Sequence, residues 1–358
     1  MCGYTEQRGS GAAPLQLKEL SDNSLDRARW DAFVEAHPEG TFFHRAGWRS
    51  VIAKVFRHDA RYVYTERDGA VTGVLPLVHL RSRLFGNALV STPFCVQGGP
   101  LATDATSLER LRTHAIGEME RLAADRLEFR LTNASGAEGW ITRSDQYAIF
   151  RRAIAADEDQ NLKAVPRKQR AVIRKSLESN LVASVEPDIK RFYRIYSESL
   201  RNLGTPAFPR RYFEALVEAF GDSCEITTVL HGISPVSTVL SFFFRGEVLP
   251  YYGGAAPVAR SCGAYDLLYW DVMRRAAVRG CRVFDFGRSK IGTGSYAFKK
   301  NWGFVPQALT YEFRLRAGAA VPDLNPLNPK YRRYIAAWKR LPLPVANFVG
   351  PYLIRSLG

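Results

Sequence analysis

The sequence predicts an α/β protein of two similar units, each a mostly antiparallel sheet crossed by helices, followed by a basic tail. Three observations carry this reading. The order strand–strand–strand–glycines–helix–strand occurs twice along the chain. Its landmarks are evenly placed, since Gly98 to Leu127 and Gly253 to Arg282 both span 29 residues. The length of 358 residues exceeds what one hydrophobic core usually fills.

The elements follow in order. Residues 26–55 carry Trp30, Phe33 and Val34, then Trp48, Val51, Ile52 and Val55, at helical spacing. RYVYTERDGAVTGVLPLV reads as two strands joined at Arg67-Asp68-Gly69, a strong hairpin signal. ALVSTPF is a third strand leading into Gly98-Gly99-Pro100, and a helix over 107–124 precedes the strand LEFRLT. In the second half, helices cover 188–200 and 209–220. Strands follow at CEITTVLH, VSTVLSFFF and EVLPYYGG, with a turn at Arg245-Gly246, then a helix over 265–279 and the strand CRVFDFG. The polar stretch AADEDQN suggests a boundary. The units are therefore expected over 15–155 and 156–317, with a disordered lead over 1–14 and a basic aromatic tail over 318–358.

Composition narrows the function. With 46% hydrophobic and 24% charged residues the chain is globular. No apolar run approaches the ~18 residues of a membrane-spanning helix, and the first residues lack a secretory pattern. A cytoplasmic protein is expected. Cys2, Cys95, Cys224, Cys262 and Cys281 show no CxxC spacing, which favours reduced thiols, and Cys281 reads as core. The histidines form no HxxxH or HExxH cluster, so no metal site is expected. The net charge of +15 favours anionic partners.

The most informative stretch is FDFGRSKIGTGSYAFKKNWGF, residues 284–304. Asp285-Phe286-Gly287 spells a kinase motif, but no HRD-type loop or VAIK-type lysine precedes it. Gly292-x-Gly294 opens no βαβ unit, and no P-loop is present. The stretch, with Phe298-Lys299-Lys300-Asn301-Trp302-Gly303, resembles the FemAB/FemX aminoacyltransferases of the GNAT superfamily. So does the basic helix from Arg167 to Lys175. With the tail LNPLNPKYRRYIAAWKRLPLP, the motif is similar to the FemAB-related proteins associated with exosortase/PEP-CTERM systems and exopolysaccharide loci. No long heptad insert occurs, so the armless, FemX-like form is the better comparison.

The resemblance implies two tandem GNAT-like domains and an N-acyltransferase. Such an enzyme moves an acyl or aminoacyl group to an amine of a cell-envelope, peptidoglycan or exopolysaccharide precursor. The donor is either aminoacyl-tRNA or acyl-CoA, and no bound cofactor is implied. Direct aminolysis needs a neutral amine, a polarised carbonyl and a stabilised oxyanion. The resemblance places Lys299 beside the reacting carbonyl. Asp285 is a candidate proton acceptor, or else a partner of the following loop, and Tyr296 a candidate oxyanion donor. Arg288 and Lys290, on a glycine-containing loop, suit a phosphate or carboxylate. Tyr251, Tyr252, Gly253 and Gly254 end a strand where another group must approach closely. Phe298 and Trp302 are contact or core residues, and Arg170 and Lys175 represent the basic helix. A coenzyme A pyrophosphate turn would fall at Arg260-Ser261-Cys262-Gly263-Ala264-Tyr265, which keeps only part of the expected glycines.

From Leu324 to the end, Lys330, Arg332, Arg333, Lys339, Arg340 and Arg355 interleave with aromatic and aliphatic residues, without an acid. This suits an anionic membrane surface, a strap folded back on the domains, or contact with tRNA. Prolines 342, 344 and 351 argue against one long helix. The competing function is a non-enzymatic assembly factor that binds anionic lipid or polysaccharide. A nucleic-acid reader lacks any motif beyond charge.

Overall fold

A computed structural model describes residues 13–82, 85–321 and 331–356. Most of the expected lead, and residues 322–330 and 357–358 of the basic tail, lie outside these residues.

The chain opens with β1 (Gln16–Glu19) and α1 (Ser24–Ala36), whose cap Asn23 accepts from the Leu25 amide. A short turn over Phe42–His44 leads to α2 (Gly47–Phe56), which buries Trp48, Val51, Ile52 and Val55 and stops at left-handed Arg57. The hairpin of β2 (Asp59–Arg67) and β3 (Ala70–Ser82) turns at Asp68 and Gly69, both with positive φ. Next come β4 (Gly86–Val90), β5 (Leu101–Ala102), α3 (Ala105–Arg121), β6 (Arg126–Leu131), β7 (Ile141–Arg143) and β8 (Tyr147–Ala153).

Helices α4 (Glu158–Ala164) and α5 (Arg167–Leu177) lead to β9 (Leu181–Val185). Helix α6 (Ile189–Leu203) is capped by Asp188 and ended by left-handed Gly204, and α7 (Arg210–Phe220) follows. Strands β10 (Cys224–His231), β11 (Ser234–Phe244) and β12 (Glu247–Ala255) precede α8 (Ala264–Val278), β13 (Val283–Lys290) and α9 (Gly294–Asn301). The described chain ends with β14 (Pro306–Ala308), β15 (Thr310–Leu315), α10 (Arg332–Lys339) and α11 (Leu343–Ile354).

Among the described residues the strands form two mostly antiparallel sheets, ordered β1-β2-β3-β4-β6-β15-β7 and β14-β8-β13-β12-β11-β10-β9. The units therefore exchange strands. β8, which precedes the expected boundary, pairs with β13 in the second sheet, while β15 pairs with β6 in the first. A division at residue 155 separates β8 from its own sheet.

Helices α1, α2, α6 and α7 form a layer between the sheets, where residues of both units share one core. Phe42 packs on Phe220 and Phe242 there. Smaller cores lie under α3 on the first sheet and under α8 on the second. Cys281 is buried in the latter.

Candidate active site

Among the described residues each sheet contains one parallel pair, and the two pairs end differently. In the first unit β4 pairs with β6 from Ala88↔Arg126 to Val90↔Glu128, and then the strands part. The chain fills that gap with its own backbone. Ser91 N–H donates to the Glu128 carbonyl at 2.9 Å, and the Gly98 and Gly99 amides donate to the Arg130 carbonyl at 3.1 and 3.3 Å. The backbone packs closely here, since a Cβ on Gly99 would meet the Leu131 side chain at 2.1 Å and force it to shift.

In the second unit β12 pairs with β13 only at Glu247↔Val283 and Val248↔Phe284. Beyond that point a cavity of about 1230 Å³ opens, lined by Tyr251, Tyr252 and Gly253 on one side and by Phe286, Gly287, Arg288 and Ser289 on the other. Phe298 and Lys299 of α9 line it, as do Tyr265, Asp266 and Tyr269 of α8. Lys299 and Tyr252 thus face the same space.

Gly287, with a φ of 67°, bulges β13 out of register with β8 between Asp285 and Arg288. Lys299 fastens the bulge: its Nζ donates to the carbonyls of Gly287 at 3.1 Å and Arg288 at 3.0 Å. The side chain is only 9% exposed. Burial pulls its ammonium down to about 7, opposed by the Asp285 carboxylate and assisted by the Arg288 charge. Asp285 lies behind the bulge and does not line the cavity. Its Oδ1 accepts from the Gly287 amide at 2.7 Å, and Oδ2 is 3.4 Å from Arg151 Nε. Burial pushes the Asp285 carboxyl up to about 6, against the pull of Arg151 and of the Gly287 amide. The side chain positions the bulge, as the loop-bonding alternative anticipates.

Arg288 and Lys290 belong to strand β13, not to a loop, because β13 runs past the bulge to residue 290. Arg288 lines the cavity, donates to Tyr311 Oη and lies over Tyr147 at 4.8 Å. Lys290 lies over the same Tyr147 ring at 5.3 Å, outside the cavity lining. Tyr251 donates to the Phe94 carbonyl at 3.3 Å and joins the units, while Tyr252 shares a 2.8 Å bond with Tyr212. Phe298 packs against Tyr265 and Tyr269.

The other expected residues sit elsewhere. Gly254 packs on α6, where a Cβ would meet Tyr196 Cα at 2.6 Å. Trp302 is fully buried and donates to Asp266 Oδ1 at 3.0 Å, so it supports the cavity wall from behind. Tyr296 packs edge-on to Phe150. Lys175 is exposed on α5 and Arg170 is half-buried, and from α5 it is Gln169 that reaches the cavity and donates to Asp266.

The first unit contributes more than its sequence suggested. Arg126, Glu128 and Arg130 of β6 line the same cavity, with Tyr147 and Tyr311 stacked 5.3 Å apart. Arg130 Nε donates to Glu128 at 2.9 Å, and Arg126 Nε lies 3.6 Å from the same carboxylate. The alternation Arg126-x-Glu128-x-Arg130 was the available signal, since it puts three charges on one face of a strand. Ser289, which no sequence motif marks, is a buried residue of the cavity wall, and among the described residues its Oγ has no hydrogen-bond partner.

Residues 159–300 match the family described as acetyltransferase (GNAT) domain. The two sheets together have the mixed α/β fold of tandem GNAT proteins. The chain is similar to the crystal structure of FemX, with a TM-score of 0.64 and 15% identity over 84% of this chain and 97% of FemX. The C-terminal DUF2156 domain of a putative lysylphosphatidylglycerol synthetase from Agrobacterium fabrum gives 0.54 at 13% identity, covering 83% and 93% of the two chains. A tandem GNAT protein from the clavulanic acid biosynthesis pathway gives 0.53 at 14% identity, covering 87% and 100%. No curated protein matches the chain in sequence.

Proposed function

We infer that the protein is a GNAT-type N-acyltransferase of FemAB-like architecture, whose reaction takes place in the cavity opened between β12 and β13. One observation carries the reading. The parallel pairing stops after two register positions in the unit that matches a GNAT domain, and the space beyond is left open to residues of both units. The equivalent gap of the first unit is closed by backbone. Only the second is available to a donor.

In this reading the donor's carbonyl lies along the bulge of β13, and the acceptor amine enters from the side of β6 and β15. The amine nitrogen bonds to the carbonyl carbon, the bond from that carbon to the donor's sulfur or oxygen breaks, and the proton lost by the nitrogen ends on the departing thiol or hydroxyl. Protonated Lys299 uses two hydrogens on the Gly287 and Arg288 carbonyls and retains one donor, together with its charge, for the developing oxyanion. The donor is an acyl carrier, acyl-CoA or aminoacyl-tRNA. The 284–304 motif is what points to an amine on an envelope or exopolysaccharide precursor, in the setting of exosortase-associated proteins.

Equilibrium binding of acetyl-CoA and of aminoacyl-tRNA to the wild type and to Gly253→Val tests the site. A Cβ at Gly253 already meets Tyr269 Oη at 3.0 Å, so valine narrows the opening. Binding of one donor that the variant loses supports the reading. Equal binding by both proteins places the donor elsewhere.

A further inference from the structure

The C-terminal helices fold back on the protein and still leave an apolar face uncovered. Helix α11 turns one side inward: Ala346 is buried, and a Cβ on Gly350 would meet the Ala207 carbonyl at 3.3 Å. Asn347 donates to Ser197 Oγ at 3.3 Å, and His58 Nε2 bonds the Arg355 carbonyl at 2.7 Å. The opposite side presents Phe348, 71% exposed, and Tyr352, 62% exposed, with ring centroids 5.9 Å apart.

Beside these rings runs a groove of about 680 Å³ between α2, α7 and α11. Arg57, Arg210, Arg211 and Arg355 line it, and all four are exposed. Its one acid is Glu214, which pairs with Arg210 at 3.0 Å. Helix α10, just before, adds exposed Arg332, Arg333, Lys339 and Arg340. Arg57, Arg210 and Arg211 are remote in sequence from the tail, so the fold gathers this charge around the two rings.

We propose that this face docks on an anionic phospholipid bilayer, with Phe348 and Tyr352 entering the headgroup boundary and the surrounding arginines meeting lipid phosphates. Aromatic rings ringed by excess cations complement a surface that is apolar beneath and negative above. No helix among the described residues is long and apolar enough to cross a membrane, so the attachment is peripheral. Ile354, next to Arg355, lines the main cavity, which sets the docking face beside it. A lipid-linked amine would then reach the cavity without leaving the membrane; that consequence rests on the acyl-transfer reading, whereas the docking does not.

Co-pelleting of the full chain with vesicles of phosphatidylglycerol and phosphatidylcholine, against phosphatidylcholine alone, tests the proposal. Binding to the anionic vesicles should be stronger by about tenfold or more and weaken as salt rises. The double variants Phe348→Ser/Tyr352→Ser and Arg57→Asn/Arg355→Gln should each lose about tenfold with the thermal midpoint unchanged. Failure of the wild type to pellet, or equal pelleting on both vesicles, overturns the proposal. So does a dimer in sedimentation that the aromatic variant dissolves, because the face is then an interface between copies. Transfer to a soluble amine is assayed separately, so loss of docking and loss of chemistry are distinguished.

Discussion

Lys299 Nζ donates to the Gly287 carbonyl at 3.1 Å, so the helix that follows β13 holds the bulge in that strand. This bond joins two parts of the 284–304 motif that stand twelve residues apart. It also explains why a lysine occupies a buried position: its ammonium supplies donors to two carbonyls of the bulged segment.

Replacing Lys299 by Met keeps the packing volume and removes those donors. Turnover should fall by roughly 10²-fold, the scale of one preorganised oxyanion donor. Lys300→Ala, on the exposed side of α9, should stay close to wild type. Steady-state kinetics of the two variants decide the point, and equal losses would indicate general electrostatics.

The pH dependence has a definite sign. Burial lowers the Lys299 ammonium to about 7, so its charge is present below that pH and is lost as pH rises through it. A profile of kcat/KM should fall on the alkaline side near pH 7. In Lys299→Arg, whose guanidinium does not titrate there, that limb should disappear. A limb that persists in the variant belongs to another group.

The shared core predicts joint unfolding. Phe42 stacks on Phe242 with centroids 4.3 Å apart and planes at 21°, one ring from each unit. Phe42→Ala should cost about 3–5 kcal/mol and leave a single transition in calorimetry. Two separated transitions would mean that the units fold independently.

Strand exchange makes a similar demand on fragments. β15 lies between β6 and β7, so residues 13–145 alone lack an interior strand of their sheet. That fragment should be insoluble or poorly structured by circular dichroism, and addition of a 306–321 peptide should increase its order. A cooperatively folded fragment without the peptide would contradict the arrangement.

Much of the fold was legible where local chemistry decides it. Asp68-Gly69 and Arg245-Gly246 mark hairpins because their turns need positive φ. The basic helix from Arg167 and the strand–helix order around Gly253 were equally readable. The exchange of β8 and β15 was not, because short alternating strands carry no label for the sheet they join. Gly98-Gly99 and Gly253-Gly254 look alike in sequence. Yet the first pair closes its gap, and of the second only Gly253 borders an open one, a difference set by tertiary hydrogen bonds. The motif singled out Lys299, but its burial depended on the bulge at Gly287. Trp302 and Tyr296 sit at helical spacing around Lys299 and point into the core, which the motif alone does not distinguish.

Acyl transfer to an amine in the β12–β13 cavity is open to direct measurement. Its most direct test offers the protein labelled acetyl-CoA or labelled aminoacyl-tRNA with an amine-rich small-molecule extract of cells, and follows the label by mass spectrometry. One donor should pass its acyl group to an amine as an amide, and Lys299→Met should reduce this by about 10²-fold. No transfer from either donor, or undiminished transfer by the variant, would contradict it.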